Sequence, residues 1–144
     1  MSPTSAGKPG DGLRTGPLGR GGPDTGSAVV DFVLVGALTT VLFAAVLQLA
    51  LTLHVRATLV DCAAEGARYA ALADRTPEQG AQRTRDLITV SLAPRYAEQV
   101  TAEPAVIGGL DVVRVRVVAP LPVVGLLGPP GSLTVQGHAL AEGP

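Results

Sequence analysis

The sequence predicts an α+β membrane protein. It would have one long N-terminal helix, transmembrane in its first half and amphipathic in its second, then a short second helix and a small antiparallel sheet of about three strands. Three observations carry this reading. From Phe32 to Leu53 there are 22 residues without a charge. Apolar and small residues then keep a three- and four-residue spacing to about Ala73, as one face of a helix does. Beyond Pro94 the period drops to two, most clearly where Val113, Val115 and Val117 alternate with Arg114 and Arg116.

Composition narrows the class. A chain of 144 residues suits a small domain with appendages rather than a large enzyme core. Aromatics make up 3% and Trp is missing, so the apolar content comes from Ala, Val and Leu. The net charge is -1 with neither a basic stripe nor an acidic block, which argues against a nucleic-acid partner. The single Cys62 excludes an intramolecular disulfide and any multi-cysteine metal site, and reads as a small hydrophobe on an Ala-rich helix face.

Residues 1–26 hold eight Gly and four Pro and show no apolar period, so they read as a disordered leader. The charge-free run, taken as about 32–53, is interrupted only by Thr39, Thr40, Gln48 and Thr52. As a helix it spans about 33 Å against a hydrocarbon core of about 30 Å, which is one transmembrane crossing. A cleavable secretory signal would have a shorter polar start and a shorter apolar run. Lys8, Arg14 and Arg20 before the run balance Arg56, Arg68 and Arg75 after it, so charge alone does not orient the span.

The helix continues past the span, with Ala57, Val60, Ala64, Ala67 and Ala71 on one side, and would run from Ser27 to Ala73. Gly66 is the residue that opposes continuity, at about 1 kcal/mol relative to Ala. Thr76-Pro77-Glu78-Gln79 then carries a capping box with Pro in the first helical position, opening a second helix with Ala81, Thr84, Ile88 and Leu92 on one side. Pro94 ends it. Residues 99–107 form a weak strand that Pro104 marks as an edge, Gly108-Gly109 is a turn, 111–118 is a half-buried strand, and 133–140 pairs back onto it. The uncharged stretch 119–131 reads as a hairpin connection that folds Leu121, Val123, Val124, Leu126 and Leu127 under the sheet, the alternative being an exposed apolar patch for a partner or the membrane surface.

Asp31, at the mouth of the apolar run, raises the functional question. A carboxylate in hydrocarbon costs about 2.5–3.5 kcal/mol, so a charge placed there either sits at the interface or has a partner. Cutting the chain after Gly26 would leave Ser27 with a free ammonium one helical turn before Asp31.

The stretch Gly26-Ser27-Ala28-Val29-Val30-Asp31-Phe32 resembles a type IV prepilin processing site: a leader ending in Gly, an acidic residue at the fifth mature position, an aromatic at the sixth, then a long apolar helix. With Ala63-Ala64-Glu65-Gly66-Ala67-Arg68, the chain resembles more closely the TadE-like pilus assembly proteins of the Tad (Flp pilus) system. Those open on Gly-Ser/Ala-x-x-x-Glu-Phe and close their core with Ala-Ala-x-Glu-Gly-Ala-Arg. Asp31 stands where the family usually has Glu, and Gly36 lies near the place of a proline often found in the span.

The resemblance implies a non-catalytic, pseudopilin-like component of a pilus assembly or secretion machine in the bacterial cell envelope. It implies a single-pass protein of the cytoplasmic membrane, with a cytosolic N-terminus and residues 74–144 as an extracytoplasmic αβ head. Its partners would be the membrane, other TadE-like or pilin-like subunits and a prepilin peptidase that cuts between Gly26 and Ser27. The alternative is an unprocessed single-pass anchor whose C-terminal domain binds another envelope partner. Gly36, Ala37, Thr40, Ala44 and Ala45 are plausible helix contacts in lipid.

An enzyme is disfavoured. His54 and His138 are far apart in sequence, and there is no serine elbow, phosphate-binding Gly-rich loop or metal-ligand spacing. No cofactor, metal or small-molecule substrate is expected.

Overall fold

The computed structural model describes residues 5–7, 9, 10, 12, 16, 24–122 and 131–143. The leader reading for residues 1–26 and the placing of Val123, Val124, Leu126 and Leu127 therefore lie mostly or wholly outside the described residues. The elements are α1 (Asp24–Ala70), α2 (Pro77–Ser91), a 3-10 turn (Pro94–Tyr96), β1 (Gln99–Ile107), β2 (Leu110–Pro120) and β3 (Ser132–Leu140). This is the α+β architecture expected, with a helix long and apolar enough to cross a membrane.

Two compact units divide the chain, residues 1–39 and 40–144. In the first, α1 is exposed from Gly26 onward, with Phe32 at 80% and Leu38 at 68%. The Thr39 hydroxyl donates to the Val35 carbonyl at 2.8 Å, which hides a polar group against the helix's own backbone.

The second unit holds the rest of α1 and the sheet domain. Its sheet runs β1-β2-β3, antiparallel throughout, with β2 in the centre. The alternation read in β2 holds from Val113 onward, where Val113, Val115, Val117 and Ala119 are buried, although Val112 is buried too; Val115 faces Ala102 of β1 and Gly137 of β3, and Val117 faces Val100 and Val135. β1 is a full nine-residue strand at the edge, where Pro104 faces Val113 without breaking the ladder. Gly108 and Gly109 take φ of +60° and +80°, which only glycine adopts freely, and so close the two-residue β1–β2 hairpin.

The capping box at α2 is present in both directions. Gln79 N donates to Thr76 Oγ1 at 3.3 Å and Thr76 N to Gln79 Oε1 at 3.0 Å. Gly80, Ala81, Thr84 and Ile88 form the buried face of α2.

Two expectations for α1 need correction. Its length is the 47 residues foreseen, but it runs Asp24–Ala70 rather than Ser27–Ala73. At its end, Ala71 N still donates to Ala67 O at 2.9 Å, and Glu142 N then caps the Ala71 carbonyl at 2.9 Å, tying the tail after β3 to the helix terminus. The buried stripe is also rotated. It comprises Val55, Leu59, Cys62, Ala63, Gly66, Ala67, Ala70 and Ala71, while Ala57 is exposed.

Candidate functional site

Two sets of residues were singled out by the sequence, and they occupy different environments. Gly26, Ser27, Asp31 and Phe32 lie in the first turns of α1, all exposed. Ser27 and Asp31 are four residues apart, which puts them on one helix face about 6 Å apart along the axis. A Cβ built at Gly26 meets nothing within 4 Å, so packing within the chain does not require glycine there.

The bond between Gly26 and Ser27 is helical, because α1 starts two residues before Gly26. A protease needs extended backbone. The first turn of a helix has N–H groups without intrahelical partners and frays readily, so unwinding here is a small local event.

Residues 63–68 have a different setting. Ala63, Gly66 and Ala67 are buried, Ala64 is half-buried, and Glu65 and Arg68 point outward. The outward pair is an exposed i,i+3 ion pair at 3.7 Å, a geometry that contributes little to stability.

The inward side fits by contact of backbones. A Cβ added to Gly66 would overlap Thr84 Oγ1 and lie 2.7 Å from the Gly80 carbonyl oxygen. One added to Gly80 would overlap the Ala70 Cβ and lie 2.7 Å from the Gly66 carbonyl oxygen. On the sheet side, one added to Gly137 of β3 would run into the Ala63–Ala64 peptide and lie 2.5 Å from the Ala63 carbonyl oxygen.

Thr84 joins the two helices. Its hydroxyl is fully buried, bonds the Gly80 carbonyl at 2.9 Å and lies 3.5 Å from the Cys62 carbonyl. The motif is thus where α2 and β3 approach α1 closely enough to exclude a methyl group. Sequence reading placed Thr84 on the inner face of α2 but did not name Gly80 or Gly137 as partners. An isolated glycine inside a helical or strand pattern was the available signal.

Residues 26–68 match the sequence model of the family described as TadE-like protein. The chain carries a TadE-like segment. It starts at the residue before the processing-like bond and ends with the Ala63–Arg68 motif. No curated protein and no solved structure is significantly similar to the chain.

Cys62 lies inside the TadE-like segment, one residue before the motif, and is buried at 6% exposure. Burial, reinforced by the Asp61 carboxylate next to it, pushes its thiol pKa up. It packs as a neutral small side chain rather than as a nucleophile. Among the described residues, no three His, Cys, Asp or Glu side chains are grouped to hold a metal ion. His54 sits on α1 just past the apolar run and His138 on β3 opposite Arg114, so they are on separate elements.

Proposed function

We propose that the chain is a non-catalytic, pseudopilin-like component of a Tad-type pilus assembly or secretion machine. The observation that carries the reading is the TadE-like match over 26–68, a family of Tad pilus systems whose components are generally structural. In this reading residues 1–26 are a leader, residues 27–73 hold the transmembrane helix (about 32–53) with its amphipathic extension, and residues 74–144 form the head. The N-terminus is cytosolic and the head lies outside the cytoplasmic membrane.

Membrane anchoring follows from magnitudes. Thirteen Leu, Val and Phe between 32 and 53 each favour insertion by about 0.3–0.6 kcal/mol, together about 4–8 kcal/mol. That exceeds the few kcal/mol that Asp31 would cost even at mid-membrane, and Asp31 lies before the run. Its role in this reading is to pair with the Ser27 ammonium, its own or a neighbouring subunit's, after a prepilin peptidase cuts between Gly26 and Ser27.

The second reading, an unprocessed single-pass anchor, is favoured by one observation: the bond to be cut is already helical. Intact mass and N-terminal sequence of protein recovered from its native membrane separate the two. A chain beginning at Ser27, replaced by full-length chain in Gly26→Ala, is expected for the pseudopilin. Full-length chain in both sinks processing and leaves the anchor.

A further inference from the structure

A cavity of about 240 Å³ opens beside α1 where the charge-free run ends. Leu51 and Val55 form its wall on α1, and Leu92 and Tyr96 face them from the connection between α2 and β1. Two cationic or titratable groups reach it, His54 from α1 and Arg95 from the 3-10 turn. Arg95 is held in place: its guanidinium carbon lies 4.8 Å from the Tyr96 ring centroid, and Nη2 donates to the Tyr96 hydroxyl at 2.9 Å.

The remaining N–H groups of Arg95 have no carboxylate within ion-pair distance among the described residues. Glu98 is the acidic group nearest in chain; it lines the adjoining groove, with Arg95 on the rim between the two. The cavity therefore combines an apolar wall, a cation and a tyrosine whose ring is buried and whose hydroxyl meets the cation. This combination occurs where a helix leaves hydrocarbon for water, which is where Arg and Tyr side chains anchor at a bilayer surface.

We propose that this cavity binds the phosphate headgroup of an anionic phospholipid. Arg95 takes the phosphate and Leu51, Val55 and Leu92 take the glycerol and upper acyl carbons. The site rests on the reading that Phe32–Leu53 spans the bilayer, since only then do Leu51 and His54 lie at headgroup depth. A soluble phosphate would use Arg95 alone and leave the apolar wall unoccupied. A lipid uses both.

The test uses the full chain in nanodiscs made from equal parts of phosphatidylcholine and phosphatidylglycerol, followed by native mass spectrometry of the lipid retained. Phosphatidylglycerol should be enriched about fivefold, the effect of one basic side chain at an anionic surface, and Arg95→Gln should return retention to the mixing ratio. Arg95→Lys should keep part of the enrichment, and Arg83→Gln, an exposed arginine of α2 lining a different groove, should keep all of it. Equal retention in wild type, or enrichment that survives Arg95→Gln, overturns the proposal. Displacement of the lipid by inorganic phosphate would assign the site to free phosphate and overturn it too. Alkaline extraction of the same protein separates the two layers of the argument. A chain released from membranes sinks the span reading, whereas a chain that stays without lipid preference sinks only the lipid site.

Discussion

The two halves of α1 are built on opposite rules. From Gly26 to Leu47 every residue is exposed, and the large apolar side chains Phe32, Leu38, Leu42 and Phe43 are among the most exposed. From Val55 to Ala71 the buried face is made mostly of Ala, Gly and Cys, with Leu59 the one large side chain fully enclosed. A water-soluble helix buries its large apolar residues and exposes polar and charged ones. The contrast along one helix is what the proposed span requires: bulk faces outward along the stretch long and apolar enough to cross a membrane, and smallness faces inward where backbones touch.

The largest effect should come from adding volume where the backbones touch. Gly66→Val forces side-chain atoms into Thr84 and the Gly80 carbonyl, and overpacking of that kind costs about 3 kcal/mol, enough to unfold a marginal head. Gly137→Ala, against the Ala63–Ala64 peptide, should act in the same direction. Limited proteolysis of membrane-embedded protein would show residues 74–144 cut far faster in both variants. Gly36→Ala is the matched control: its Cβ meets nothing within 4 Å, so head protection should not change. Equal protection in Gly66→Val would break the assignment of the motif to close packing.

A charge in the exposed half should act on the membrane and not on the head. Leu42→Arg, near the middle of the run, costs about 3 kcal/mol of insertion against the estimated total of about 4–8 kcal/mol. Alkaline extraction should release a measurable fraction of this variant. Val90→Arg changes a residue still more exposed, at 86% against 63% for Leu42, but on α2, and should leave extraction unchanged. If Leu42→Arg stays as firmly bound as wild type, the exposed face of α1 is covered by protein rather than lipid.

The same contrast explains how much the residues revealed before the structure. The long apolar helix, the capping box at Thr76, the alternation in β2 and the Gly108-Gly109 hairpin each depend on hydropathy or local backbone chemistry, which sequence displays directly. The docked half of α1 does not. Ala, Gly and Cys differ little in hydropathy, so the pattern does not set the rotation of the helix, and it points Ala57 inward where Val55, Leu59 and Gly66 face the core. What fixes that rotation is steric fit to Gly80 and Gly137, residues 14 and 71 positions beyond Gly66. The start of α1 differs for a related reason: hydropathy marks the apolar run and not the polar turn that precedes it.

Cys62 gives the smallest and most selective probe, because it reports burial of the docked face through one titrating group. Its thiol pKa lies above the ordinary thiol range in the folded chain, first from burial and then from Asp61. A group whose pKa is raised by folding adds stability that is fully present below its unfolded pKa and is lost as pH rises through the folded one. Head stability should therefore be flat up to about pH 8 and then decline with a component that Cys62→Ala lacks. Denaturation midpoints of the two proteins, followed from pH 7 to pH 10.5, would isolate that component. At neutral pH a maleimide should modify Cys62 slowly in the folded chain and rapidly after denaturation. Fast labelling of the folded chain would mean that the α1–α2 contact opens readily, placing the docked half of α1 among surfaces that exchange partners rather than inside a fixed core.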